Sequence, residues 1–298
     1  MLKILLTGAY GQLGQSLRDS IPNEIDLISF SKQDLDLSDI RACEHIVMKH
    51  KPDWVINTGA YTAVDLAEIN RSKAFAINAK APEMLSKFLK KIGGKLLQIS
   101  TDFVFDGNQS IPYKPLNKLN PLNVYGASKA EGEFQALKNL NTKIIRTSWL
   151  YGVTGKNFCL TMINLHRSKS LLNEEINVVS DQIGSPTSTV SLAKACWKII
   201  QLERASPSIM HWSDCGCSSW YDFAIAIGEL SESIGLIKKA AKVNPIKSSE
   251  FIAKATRPSY SILDCTETWD ILNYKPNHWH KELRNILQLI YKGKQSLD

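Results

Sequence analysis

The first eighteen residues constrain the fold more than any other stretch. Leu2 to Thr7 is a short apolar run bounded by glycine, which reads as a fully buried strand. It runs into Gly8-Ala9-Tyr10-Gly11-Gln12-Leu13-Gly14 and then into Gln15-Ser16-Leu17-Arg18, which reads as the start of a helix. Glycines spaced as GxxGxxG allow a tight turn and let backbone N–H groups approach a pyrophosphate. The positive end of the helix adds favourable electrostatics for that anion. Strand, glycines and helix in this order form a dinucleotide-site pattern, with Gly8, Gly11 and Gly14 at its centre.

The next 130 residues repeat the rhythm of buried strand and helix. Ile25 to Phe30 is the second strand. Where an NAD-preferring site carries an acidic residue to grip the ribose 2′-OH, this chain has Ser31-Lys32. A hydroxyl and a cation suit a 2′-phosphate, which favours NADPH, with NADH as the alternative. Asp34 to Asp39 reads as a loop passing the adenine, then a helix capped by Ser38, while a plain acidic turn and N-cap would account for Asp39. Trp54 to Asn57 is the third strand, and one long helical stretch follows to about Lys91. Within it Asn78 reads as a cap or bend. Leu96 to Ile99 is the fourth strand. Thr101 and Asp102 lie just past its carboxyl end, the edge of an open parallel sheet where ligands bind.

Tyr125 and Lys129 stand four residues apart on the next helix, so both occupy one face. A cation near a phenol favours the phenolate and is expected to lower its pKa. A tyrosine so tuned can give a proton to a reacting oxygen. Lys143 to Thr147 is a further strand. The alternation predicts an α/β fold, a Rossmann-like doubly wound parallel sheet over residues 1–150. Beyond Gly152 the rhythm loosens into a smaller α+β region, 151–298, although the helix near 189–202 and the strand near 209–212 are expected to return to the first domain.

Composition narrows the partners. A formal charge of +7 fits an anionic ligand such as a nucleotide. The basic residues are scattered, with no stripe to follow a nucleic acid. Of six cysteines only Cys215 and Cys217 are close-set, and no nearby histidine completes a zinc pattern. Reduced thiols and a short apolar N-terminus point to a cytoplasmic protein with no membrane partner.

Several longer strings carry a resemblance: Ala60-Tyr61-Thr62-Ala63-Val64-Asp65, Ser100 to Phe105, Pro121 to Gly126, Arg146-Thr147-Ser148-Trp149, Asp181 to Thr187 and Arg257-Pro258. Together with the glycine loop and Tyr-x3-Lys, they make the chain similar to the dTDP-4-dehydrorhamnose reductase family of the extended short-chain dehydrogenases/reductases. The resemblance implies reduction of a nucleotide-sugar C4 ketone by NAD(P)H. It implies Tyr125 as proton donor and Lys129 as the holder of the nicotinamide ribose. Thr101 would bond the carbonyl oxygen, and Asp102, Trp149 and Arg257 would hold the sugar nucleotide. The cofactor would meet Gly8, Gly11, Gln12, Leu13, Gly14, Ser31, Lys32, Asp36, Leu37, Ala60, Tyr61 and Thr62. Relatives giving another product such as dTDP-6-deoxy-L-talose, and a non-catalytic NADP-binding regulatory subunit, are the alternatives. Some dimeric members hold Mg²⁺ through carboxylates at the places of Ser16 and Val190. Their replacement here predicts no metal and a monomer or weak homodimer.

Overall fold

A computed structural model describes residues 1–202 and 205–295. Six strands form one sheet: β1 (Leu2–Thr7), β2 (Ile25–Phe30), β3 (Trp54–Asn57), β4 (Lys95–Thr101), β5 (Thr142–Thr147) and β6 (Ile209–His211). Their order is β6-β5-β4-β3-β1-β2, and every pairing is parallel. The order reverses beside β1, which puts the ligand crevice at the carboxyl ends of β1 and β3.

Parallel strands covered on both faces read as unbroken apolar runs, and β3 is buried along its whole length. Side chains of β1 alternate between two cores. Ile4 and Leu6 pack with α1 (Gln12–Asp19) and α6 (Thr189–Ile200), through Leu13, Leu17, Leu192 and Trp197. Leu5 packs on the other side against α2 (Ile40–His50) and α3 (Ala81–Ile92), through Val47, Leu85 and Phe88. Register keeps the strand ends level: Thr7 pairs with Asn57, Asn57 with Gln98, and Thr101 with Thr147. The side chains of Thr7, Asn57 and Gln98 form a buried chain of hydrogen bonds. Thr7 donates to Asn57 Oδ1 at 2.5 Å, and Asn57 Nδ2 donates to Gln98 Oε1 at 2.6 Å.

A separate core joins α5 (Phe158–Leu172), α7 (Trp220–Ser233) and α8 (Trp279–Gln295), through Met162, Ile163, Phe223, Ile227, Leu283 and Leu287. The chain beyond residue 150 also supplies β6 and α6 to the first body. Residues 203–204 and 296–298 of that expected domain lie outside the described residues.

Two local expectations differ from the structure. The helix α2 is capped by Asp39, whose carboxylate accepts from Arg41 N and Ala42 N, both at 3.0 Å. Ser38 instead donates to Asp36 at 2.7 Å. The long helical stretch is broken into Val64–Ala67, Arg71–Phe75 and a π-helical turn, Ala76–Lys80, before α3 begins. Asn78 on that turn is used in full. Its Oδ1 accepts from Tyr61 N at 2.8 Å, and its Nδ2 donates to Tyr61 O and to Ser128 Oγ, both at 3.0 Å. π turns of this kind recur at functional sites.

Ser128 belongs to α4 (Val124–Ala136), which presses directly on the π turn. A Cβ at Gly132 would stand 2.0 Å from the Asn78 carbonyl oxygen. Gly132→Ala is therefore expected to destabilise the fold by about 1–3 kcal/mol. Urea denaturation measures it, and an unchanged midpoint would show that the two backbones can separate.

Candidate active site

A cleft of about 910 Å³ opens at the carboxyl edge of the sheet. Of the residues singled out from sequence, Gly8, Gly11, Gln12, Leu13, Lys32, Asp36, Leu37, Ala60, Tyr61, Thr62, Thr101, Asp102, Tyr125, Lys129 and Trp149 line it. Three do not. Gly14 lies beneath the loop, where a Cβ would meet the Gly8 carbonyl oxygen at 2.3 Å. Ser31 is turned into its own bend, accepting from Gln33 N at 3.1 Å and Asp34 N at 3.2 Å. Arg257 is held by Asp65, with Nη2 to Oδ2 at 2.6 Å.

The glycine loop is built for an anion. No side chain caps α1, so the N–H groups of its first turn face the loop unblocked. Gly8 has φ 64° and sits against the Gly59 backbone, an approach that a side chain at Gly8 would block. At the far end of the cleft the Ser38 amide and hydroxyl hold the Asp36 carboxyl below the usual range, and the charges of Lys32 and Lys73 add to this. An ionised Asp36 can accept from an exocyclic amine, and Lys32 and Lys73 give this end a cationic wall. The residues present thus fit a dinucleotide.

The other half of the cleft is organised by α4. Asn123 caps it, accepting from Gly126 N at 2.8 Å, and Glu68 Oε1 accepts from Val124 N at 2.8 Å. Tyr125 stands in the first turn and packs edge-on to Phe103, with ring centroids 5.8 Å apart. Thr101 donates to Asp102 Oδ1 at 3.0 Å and accepts from Phe103 N at 3.2 Å. Lys129 Nζ donates to the Ile99 carbonyl at 2.5 Å.

The expected lowering of the tyrosine pKa is reversed in this frame. Desolvation pushes Tyr125 up to about 12, with Thr101 pulling it down and the Asp102 charge adding to the rise. Desolvation likewise pushes Lys129 down to about 8, against the Glu133 charge. The ammonium is aimed at the strand carbonyl, and burial sets the direction of both shifts. Asp102 is buried, and its pKa rises to about 6. Its Oδ2 lacks a hydrogen-bond partner.

An aromatic shelf completes the wall. Trp149 stacks on Trp220 with centroids 3.5 Å apart and planes 5° from parallel, and Phe158 tilts against Trp220 at 4.6 Å. Trp220, Phe158, Lys73 and Lys156 line the cleft without having been singled out from sequence. Trp220 opens α7 directly after its cap, Ser219, which forms a capping box with Asp222. Nothing in that local signal distinguishes a cleft residue from a core residue.

At the places of the expected missing carboxylates, Ser16 donates to Thr189 Oγ1 at 2.7 Å and Val190 is exposed. Among the described residues no group of three or more His, Cys, Asp or Glu side chains is placed to hold a metal. No helix there is long and apolar enough to cross a membrane.

Asp65 also accepts from Lys254 N at 2.9 Å and Ala255 N at 3.0 Å, so it fastens the segment before Pro258 to the loop after β3. Asp65→Ala and Arg257→Ala are expected to be non-additive in stability by about 0.5–1 kcal/mol. A double-mutant cycle by thermal denaturation tests this, and strict additivity would mean that the pair carries no coupling.

The sequence profile described as the RmlD substrate binding domain matches residues 2–292. A dTDP-4-dehydrorhamnose reductase of Aggregatibacter actinomycetemcomitans is 36% identical over 96% of this chain and 98% of its own length. The spore coat polysaccharide biosynthesis protein SpsK of Bacillus subtilis (strain 168) is 39% identical, covering 97% of this chain and 98% of its own. The crystal structure of dTDP-4-dehydrorhamnose reductase from Bacillus anthracis in complex with NADP superposes with a TM-score of 0.87. That structure is 36% identical, covering 96% of this chain and 99% of its own. With a dinucleotide loop, a threonine at a strand end and a Tyr–Lys helix converging on one cleft, the chain belongs to the dTDP-4-dehydrorhamnose reductase family.

Proposed function

We propose that this chain reduces the C4 ketone of dTDP-4-dehydro-β-L-rhamnose to dTDP-L-rhamnose, with NADPH as the preferred hydride donor and NADH as an alternative. The observation that carries the reading is that Thr101, Tyr125 and Lys129 share one cleft with the glycine loop. NADPH, when bound, supplies the hydride that reaches the carbonyl carbon.

The chain's own residues handle the charge that develops on the carbonyl oxygen. Thr101 turns its hydroxyl proton from Asp102 to that oxygen, and Tyr125 gives it a proton. A phenol pushed up to about 12 keeps its proton across the working range, so it is always loaded as an acid. Lys129 supports the phenolate left behind and holds the nicotinamide ribose. Asp102 and the Trp149 shelf orient the sugar, and the body built on α5, α7 and α8 carries the nucleotide. Gly14 and Ser31 act by shaping the cofactor loops, and Arg257 acts through Asp65. No Mg²⁺ is required for this chemistry. Six free thiols fit a cytoplasmic enzyme, acting as a monomer or weak homodimer.

Tyr125→Phe is expected to lower kcat by about 10²–10⁴-fold in NADPH oxidation with the keto sugar nucleotide. Turnover near that of the wild type would remove the assigned role, and NMR of the product reads the configuration at C4. The pH profile gives a second check. Lys129 loses its charge as pH rises through about 8, so kcat/KM, which reports the free enzyme, is expected to fall above that pH. A profile flat to pH 10 would separate Lys129 from the rate.

A further inference from the structure

Behind the cleft wall lies a buried ion pair that the reaction does not touch. Glu133 follows Lys129 by one turn on the same face of α4. It accepts from the Ser100 hydroxyl and from Arg146, with Nε to Oε1 at 2.9 Å and Nη2 to Oε2 at 2.6 Å. Both side chains are 2% exposed. Arg146 also donates to the Pro115 carbonyl at 2.8 Å, and its Nη1 lies 3.2 Å from His211 Nε2. The cluster therefore ties α4 to β4, β5, β6 and the proline loop.

A buried pair of this kind is often no more stabilising than apolar residues of the same volume, so its presence invites a role beyond stability. Two observations point to that role. Ser100 lines the cleft and immediately precedes Thr101. Glu133 is the one charge that opposes the desolvation of Lys129.

The other ionisable groups near Lys129 can be placed. Tyr125 shares its helix, Asp102 follows β4, and Lys73 on the short helix 71–75 lines the same cleft. Glu68 is engaged at the Val124 amide, and Asn78 and Ser128 on the π-turn side are uncharged. Arg146 reaches α4 only through Glu133. His211 is kept neutral by burial and by Arg146, its pKa down to about 3.

We propose that Glu133 is a positioning residue for the reduction: held in place by Arg146, it is the counter-charge that keeps Lys129 an ammonium, and through Ser100 it fixes the strand end that carries Thr101. This rests on the reductase reading of the cleft. Removing the negative charge makes the ammonium harder to keep, so Lys129 deprotonates at lower pH.

The test is the pH dependence of two quantities, kcat/KM for the keto sugar nucleotide and the dissociation constant of NADPH from fluorescence quenching. In Glu133→Gln the basic limb of both is expected to move down by about one pH unit, a tenfold change in the Lys129 proton equilibrium. The double variant Glu133→Gln with Arg146→Met removes both buried charges together and guards against a misfolded single variant. Its limb is expected to move the same way by less. Glu133→Asp keeps the charge and is expected to restore the wild-type limb even where kcat is reduced. Loss of thermal stability or kcat at all pH values with an unmoved limb in both quantities would overturn the proposal. If the keto sugar nucleotide is not turned over by the wild type, the reductase reading fails while the NADPH-binding limb still reports on Glu133.

Discussion

The site depends on backbone contact between α4 and its neighbours. Cβ atoms added to this helix would collide with two carbonyls: at Gly126 with Phe103 O at 2.1 Å, and at Gly132 with Asn78 O at 2.0 Å. With no side chains at these points, the helix lies against both the turn after β4 and the π turn. That approach puts Lys129 within 2.5 Å of the Ile99 carbonyl and sets Tyr125 beside Phe103 at the level of Thr101. The same contact lets Asn78 join the Tyr61 loop to Ser128, so two walls of the cleft are braced by one amide.

Close approach also explains the electrostatics. The protein excludes water from these groups, so each is pushed toward its neutral form: Tyr125 up to about 12, Asp102 up to about 6, Lys129 down to about 8. For the proton-donor role proposed for Tyr125 the first shift is useful, because the acid stays loaded. For the role proposed for Lys129 the shift is a liability, because that role needs the charge. A buried carboxylate one turn along, Glu133, is itself fixed by the guanidinium of Arg146 and is the counter-charge proposed for it.

Much of this was legible in the sequence, for local reasons. Strands covered on both faces leave apolar runs, and β1, β3 and β4 were found that way. The glycine loop and the Tyr-x3-Lys spacing are local geometry, so their place at one cleft follows from parallel topology. What escaped depends on partners that a spacing pattern does not reveal. Arg257 looks like a ligand contact until Asp65, 192 residues away, is seen to hold it. Ser31 looks like a phosphate contact, but Asp34 draws it into a turn, its carboxylate accepting from Ser31 N at 2.9 Å. Gly14 serves the loop from below, a packing role that the GxxGxxG spacing does not separate from contact. The 64–92 stretch is interrupted at 68–70, and the π turn at 76–80 places Asn78 for its bonds to Tyr61 and Ser128, which helix propensity does not encode.

The stacked tryptophans show how the two halves of the cleft are made to act together. Trp149 has φ 45°, a conformation unfavourable for a bulky side chain, and is held there by its stack on Trp220 and by Gly184, where a Cβ would meet its ring at 2.5 Å. The chain that follows Trp149 folds back over the glycine loop. Gln12 Nε2 donates to the Lys156 carbonyl at 3.2 Å, and Asn157, the cap of α5, donates to Gln12 Oε1 at 3.0 Å. One side chain of the dinucleotide loop therefore fixes the first turn of a helix in the second core, whose Phe158 supports Trp220. Side-chain contacts thus run without a gap from the glycine loop, through Gln12 and Asn157, to Phe158 and the stacked tryptophans.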